Sequence, residues 1–305
     1  MVIAKYDGGI MVNFGDKKVL FDPIKLPSEK PDLIAVTHAH SDHHNVRVLR
    51  LLDKIPKVMS LPTLKILDPK GRLRNVILIG SNEEKEIAGI QVYAHSSGHI
   101  LGSLEFIVSY KYDVAFTGDF NLERRIILTP ARVLRSDILV IEATYGDPRY
   151  VFPPRAELYR RVLEIAKNGG ILIGRKIGVS QELTALLALS RVKVPAVHPS
   201  IAEINKIYEK FGEILGPYLV IEDPVEERPY IAPINYSSVS TNIIRCTGWA
   251  LMGNGIPLSS HADFNQLVDY VIRSRAEKVY TIYGFKDKLA EFLKRTLGID
   301  AEPLK

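Results

Sequence analysis

A chain of 305 residues, 46% hydrophobic and 25% charged, has the composition of a globular protein with a sizeable core. Its net charge of +5 is spread along the sequence, so it permits a polyanionic partner without establishing one. The single cysteine, Cys246, excludes an intramolecular disulfide and a cysteine-rich zinc site, and in "IIRCTGW" it reads as a small buried hydrophobe. The opening "MVIAKYDGGIMVNFGDKK" lacks the basic-then-apolar pattern of a secretion signal, and no apolar run reaches membrane length. A soluble cytoplasmic protein is therefore expected.

In chain order, "GGIMVNFGDKKVLFDP" predicts a hairpin turning at Gly15-Asp16, and "PDLIAVTH" a buried strand. "VRVLRLLDKIP" predicts a helix, "KVMSLP" a short strand and "LPTLKILDPKG" a second helix. "IQVYAH", "LEFIVSY", "YDVAFTGD" and "SDILVIEATYG" predict further strands, several ending in His, Asp or Glu. A rigid sheet that carries such residues at its strand ends is how α/β proteins hold catalytic groups. At "GDPRYVFPP" the pattern changes. The helix "RAELYRRVLEIAKNGG" follows, then strand "GGILIGRK", helix "SQELTALLALS", strand "VPAVH" and helix "SIAEINKIYEKFG", a small βαβα unit. "IEDPVEERPYIAPINYSSVS" reads as irregular, and strands resume at "TNIIRCTGWAL". The C-terminal segment reads as helix, strand, helix. Residues 149–240 thus look like an insertion in a larger fold.

The loop "THAHSDHHN" at 37–45 holds four of the eight histidines. Protonated imidazoles this close repel one another, so the run reads as chemistry. In its H-x-H-x-D-H pattern, His38 and His40 face one way and can grip one ion, while Asp42 and His43 turn toward a second position. Imidazole with carboxylate suits zinc. The plainer reading, a solvated histidine-rich loop, is disfavoured by the length of the pattern and by the strand before it. His44 lies outside the pattern, as a supporting or surface residue. "SSGHILGS" supplies His99, and "AFTGDF" supplies Asp119 at a strand end, where Gly118 lets the backbone come close and the carboxylate can bridge two cations. Either motif alone would be an ordinary turn residue; the three in this order are not. Asp22 in "VLFDP" is expected to orient the histidine loop from behind.

These motifs resemble those of the metallo-β-lactamase superfamily of two-metal hydrolases. "IEATYG", "PLSSHADF" and "VYTIYGF" are similar to the three further motifs of its β-CASP branch of nucleic-acid nucleases. The sequence around them looks most like ligase-associated exonucleases and archaeal mRNA 3'-end processing factor-like proteins. The resemblance covers residues about 10–150 and 240–303. It implies an α/β fold: an αββα metallo-β-lactamase sandwich from residues 1–148 and 241–305, with a compact α/β β-CASP domain inserted at 149–240.

Carried over, the resemblance gives His38, His40 and His99 to a first zinc, Asp119 to a bridge, and Asp42 and His43 to a second ion. Glu142 and His261 become a proton-handling pair, so that Asp42, Glu142 and His261 are the catalytic expectation. Tyr283 departs from the pattern, because the RNA-processing branch has a zinc-ligating histidine there. Either Tyr283 coordinates as phenolate, or the second site beside one tightly held zinc is weaker and open to manganese or magnesium, or the protein works with the one tight metal. The activity implied is hydrolysis of single-stranded DNA or RNA, exonucleolytic and slightly favouring DNA. Arg124, Arg125, Arg149, Arg175 and Lys176 are candidates for backbone contacts, each with a solvated charged face as the plainer reading. Two rival functions remain: a metallo-hydrolase of small-molecule esters or phosphodiesters, and a weakly active nucleic-acid-binding subunit.

Overall fold

The computed structural model describes residues 3–237 and 243–305. In chain order the strands are β1 (Ile3–Tyr6), β2 (Ile10–Asn13), β3 (Lys18–Phe21), β4 (Leu33–Ala35), β5 (Lys57–Met59), β6 (Val76–Leu78), β7 (Glu83–Ile87), β8 (Ile90–Ser96), β9 (Leu104–Ser109), β10 (Asp113–Phe116), β11 (Ile138–Glu142), β12 (Ile171–Gly174), β13 (Ala196–Val197), β14 (Leu219–Val220), β15 (Tyr230–Pro233), β16 (Ile243–Arg245), β17 (Lys278–Ile282) and β18 (Ala301–Pro303). The helices are α1 (Val46–Leu51), α2 (Leu61–Leu67), α3 (Arg155–Lys167), α4 (Val179–Ser190), α5 (Pro199–Lys210), α6 (Phe264–Ser274) and α7 (Lys286–Leu297). The mixed α/β class expected from the sequence is the one observed. Among the described residues no helix is long and apolar enough to cross a membrane.

The chain divides into two compact units. The first comprises Met1–Glu123, Pro130–Arg149 and Ala262–Lys305, and the second Arg124–Thr129 and Tyr150–His261. The first unit holds two sheets, β1-β2-β3-β4-β5-β6 and β18-β17-β11-β10-β9-β8-β7. The expected hairpin is β2 with β3, in register from Ile10↔Phe21 to Asn13↔Lys18. Side chains alternate along these strands, as a pleat requires. Val19 and Phe21 enter a core shared with Phe106, Phe116 and Val140 of the other sheet, while Leu20 faces Leu49 of α1 and Leu64 of α2. On the far side of the second sheet, Leu139 and Ile141 pack with Leu267 of α6 and Leu289 of α7. The order of layers is therefore helices, sheet, sheet, helices.

The second unit is built on five parallel strands ordered β14-β13-β15-β12-β16. Leu172, Val197 and Ile231 share a core with Leu158 of α3, Leu183 of α4 and Ile201 of α5. Two local expectations are corrected. Tyr230–Pro233, read as irregular because of its prolines, is a strand between β13 and β12, and its Tyr230, Ile231 and Ala232 are buried. In "TNIIRCTGWAL" only Ile243–Arg245 is extended; Gly248–Met252 is a 3-10 helix, and Thr241 and Asn242 lie outside the described residues. Within this unit β16 pairs in parallel with β12, and the unit runs on to His261. Cys246 is buried as expected, and burial pushes its thiol up to about 12.

Candidate metal centre

The sequence delivers its histidines at the end of β4. Asp22, which follows β3, holds the outgoing loop through two bonds: the Thr37 amide donates to its Oδ1 at 2.8 Å and the Thr37 hydroxyl to its Oδ2 at 2.6 Å. Asp22 has a left-handed backbone (φ 48°), a conformation that aspartate tolerates better than most residues. The carboxylate can only accept, so the Thr37 hydroxyl has its oxygen left for the Nδ1–H of His38, 2.9 Å away. This relay selects the His38 tautomer and leaves Nε2 as a bare lone pair aimed away from Thr37.

That nitrogen meets the others. His38 Nε2 lies 3.1 Å from His40 Nδ1, and His99 Nε2 lies 3.0 Å from the same atom. Asp119 Oδ2 is 3.5 Å from His38 Nε2 and 3.4 Å from His99 Nε2. All four side chains are buried. Ligand atoms about 2.1 Å from an ion at tetrahedral angles stand about 3.4 Å apart, so these separations fit the edges of a four-coordinate divalent-cation site. Burial, followed by the neighbouring imidazole of His43, holds the pKa of His38 well below its ordinary value, the neutral form a metal ligand needs.

His43 forms a second branch. Its Nδ1 is 3.0 Å from Asp22 Oδ2 and its Nε2 is 3.3 Å from Asp119 Oδ2. Burial opposes charge on this ring, but Asp119 and Asp22 outweigh it and raise the pKa well above the ordinary value. Asp119 thus faces both branches, and Asp22 is bonded to both Thr37 and His43. Asp42 behaves differently from its neighbours. The His43 amide donates to the His40 carbonyl at 3.0 Å, closing a turn that leaves Asp42 exposed and outside the groups of converging ligand atoms. Tyr283 packs edge-on to His43, with ring centroids 5.2 Å apart. Burial, reinforced by Asp22 and Asp119, raises its phenol well above the ordinary value, so it is a neutral wall. His44 stands apart, its Nε2 3.3 Å from the Ala39 carbonyl.

The loops carrying His99 and Asp119 are tied together. Ser97 donates its hydroxyl to the Asp119 carbonyl at 2.7 Å, and the Asn121 amide donates to the Ser97 carbonyl at 2.9 Å. Ser103 Oγ accepts the His99 and Ile100 amides at 3.2 and 3.1 Å. Gly118 has φ 51°, and a Cβ there would lie 2.8 Å from the side chain of Thr37, so the close approach expected of this glycine is real. Thr37, Ser97 and Ser103 escaped the sequence reading. Each is an ordinary hydroxyl whose role depends on what the fold places opposite it.

Glu142 ends β11 fully buried, with Oε1 accepting the Phe120 amide at 3.0 Å, next in sequence to Asp119. His261 belongs to the second unit, where its amide donates to Ser259 Oγ at 3.0 Å. The helix after it is capped by Asp263, whose side chain accepts the Gln266 amide, and not by Ser259 or Ser260. Of the basic candidates, Arg125 is removed from any substrate role by burial against Glu182, with Nε and Nη2 at 2.9 and 2.6 Å from Oε2. Arg149 is bonded to Asp147, with its own side chain largely exposed.

The sequence is 30% identical to a probable DNA ligase of Opitutus terrae, over 87% of this chain and 28% of that protein. It is 27% identical to RNase aCSPSF2 of Saccharolobus solfataricus, over 70% of this chain and 51% of that protein. Together with the assembled motifs, these relatives decide the family. The chain belongs to the β-CASP branch of the metallo-β-lactamase superfamily. It spans about half of one of these β-CASP relatives and little more than a quarter of the other. No family model matches it. Its fold is similar to that of a crystallised protein of unknown function from Enterococcus faecalis V583, with a TM-score of 0.64 at 13% identity over 94% of this chain and 95% of that one.

Proposed function

We propose that this chain is a zinc-dependent nuclease that hydrolyses phosphodiester bonds in single-stranded nucleic acid, working exonucleolytically and favouring DNA slightly over RNA. On this reading the first unit is the family's αββα sandwich and the second its β-CASP insertion. The observation that carries the proposal is the convergence of His38 Nε2, His40 Nδ1, His99 Nε2 and Asp119 Oδ2, with the His38 tautomer set by Thr37 and Asp22. One relative is named as an RNase and another as a probable DNA ligase, which supports nucleic acid as the substrate class.

In the mechanism, His38, His40, His99 and Asp119 would hold the first zinc, and His43, facing Asp119, would serve a second ion. Bound there, zinc would supply Lewis acidity toward a phosphate oxygen and lower the pKa of water toward neutrality. Asp22 and Thr37 keep the ligand rings in register. Asp119, shared by both branches, keeps the ligands of the two ions in step. Glu142, fixed by the Phe120 amide, and His261 handle the proton that the departing alkoxide needs. The test is incubation of metal-loaded protein with DNA and RNA oligonucleotides labelled at either end. Stepwise release of nucleotides from single strands, abolished by a chelator, is expected. Hydrolysis of ester substrates with every oligonucleotide left intact would overturn the nuclease reading.

A further inference from the structure

The second unit buries a cluster of charged groups that the mechanism leaves unused. Glu182, on α4, is fully buried, and three donors converge on it. Arg125 occupies Oε2, while Arg155 Nη1 and the Tyr159 hydroxyl reach Oε1 at 2.6 and 2.5 Å. Burial pushes the carboxyl pKa up, but Arg125 and Arg155 outweigh it and hold it at about 2. Buried ion clusters are weak devices for stability, since apolar packing of similar volume does as well. What this one supplies is direction. The planar guanidinium of Arg155 is locked by Glu182 on one nitrogen, and the other, Nη2, donates to the Ser259 carbonyl at 2.8 Å. Ser259 in turn accepts the His261 amide on its Oγ at 3.0 Å. The backbone just before His261 is thus held from within the second unit.

We infer that Arg155, aimed by Glu182, is a positioning residue that fixes the Ser259–Ser260 turn and through it the imidazole of His261. The inference rests on the proton-handling role proposed for His261. It assigns work to residues from α3 and α4 that carry no reacting group.

A double-mutant cycle on single-turnover cleavage of an end-labelled oligonucleotide tests it, using Arg155→Met, His261→Ala and the double variant of the full chain. Arg155→Met should slow the chemical step about tenfold to a hundredfold, the scale of a misplaced catalytic group. Its KM and zinc content should stay within about twofold of wild type, since no substrate-binding or metal-ligating group is removed. In the His261→Ala background the same substitution should cost nothing further, because its route of action is already gone. Arg125 still pairs Glu182 in this variant. Should it nevertheless fail to fold, Arg155→Lys, which keeps the charge but has no planar fork to hold Glu182 and the Ser259 carbonyl together, runs the same cycle with the same expected non-additivity. Equal losses in both backgrounds would overturn the positioning role while leaving the catalytic reading intact. Wild-type turnover in His261→Ala would overturn the catalytic reading itself, and the inference with it.

Discussion

The two units bury charge-bearing side chains in opposite ways. Around Asp119 in the first unit, ring nitrogens from three histidines stand 3.0 to 3.5 Å from one another and from a carboxylate, where metal ligation would need them all unprotonated. Lone pairs so arranged repel until a cation sits among them. Around Glu182 in the second unit, the chain brings its own cations, Arg125 and Arg155. One cluster is built to take an ion from outside and so answers to chelators and pH. The other supplies its own counterions permanently and bonds a loop. The distinction sorts the consequences of mutation: losses in the first cluster should appear as lost metal, and losses in the second as lost stability or misplaced groups at constant metal content.

The sharpest break is expected at the first cluster. Asp119→Ala and His40→Ala should each reduce hydrolysis by about a thousandfold or more, equivalent to about 4 kcal/mol of barrier. Asp119→Ala should lose the most metal by mass spectrometry, because its carboxylate faces both branches. Full activity in a metal-loaded Asp119→Ala protein would sink the assignment. The next effect belongs to the second cluster. The pKa of Glu182, about 2 instead of 4.5, gives stability that is fully present above pH 4.5 and lost as pH falls toward 2. Glu182→Gln leaves two buried guanidiniums facing an amide and should cost about 3 kcal/mol at pH 7, with the gap to wild type closing below pH 4.5. Urea unfolding at pH 7 and pH 3 checks both the size and the sign, and a gap independent of pH would contradict it.

The contrast also separates what a sequence discloses from what it hides. The clustering of His38, His40, His43, His99 and Asp119 was legible because groups able to hold a metal come in few residue types at characteristic spacings, and the strands before them were legible from their apolar runs. The residues that aim those ligands were not. Thr37, Ser97 and Ser103 are ordinary hydroxyls until the fold sets Asp22, the Asp119 carbonyl and the His99 amide against them. Arg125 misled, since a charge in sequence gives no sign of burial until its partner Glu182, 57 residues away, is known. Strand β15 was missed because its proline argues against a central strand, yet Pro233 stands at the last position, where a ladder tolerates it.

A smaller effect is expected where metal and proton compete. His43 lies between Asp22 and Asp119, and its raised pKa means that an ion approaching Nε2 must displace a proton. Affinity at this position should therefore be weakest at low pH and rise as pH climbs toward the raised value. Asp22→Asn removes one of the charges that raise it, so the rise should move to lower pH. The lost orientation of His43 should at the same time weaken metal binding about tenfold to a hundredfold. Competition titrations with a chelator across pH measure both, and an unmoved pH profile in Asp22→Asn would contradict the account.

The smallest expected effect is at Tyr283, and it bears on whether the second ion has a full set of ligands. A phenol ionises at neutral pH only when a cation lowers its pKa steeply, and here burial and two nearby carboxylates push the other way. Its ring meets His43 edge-on, which positions that imidazole without supplying a donor. The second ion is then expected to be held more loosely than the first, with manganese or magnesium able to fill its place. Tyr283 also has a left-handed backbone (φ 61°), a region where histidine is more common than most residues, so Tyr283→His need not disturb the turn. The added imidazole should tighten the second ion about tenfold and reduce the dependence of activity on added metal. Stepwise removal of metal from wild type and Tyr283→His, with zinc counted at each chelator concentration, decides it. Two equally tight zinc ions in the wild type would mean that phenolate or another donor already completes the site.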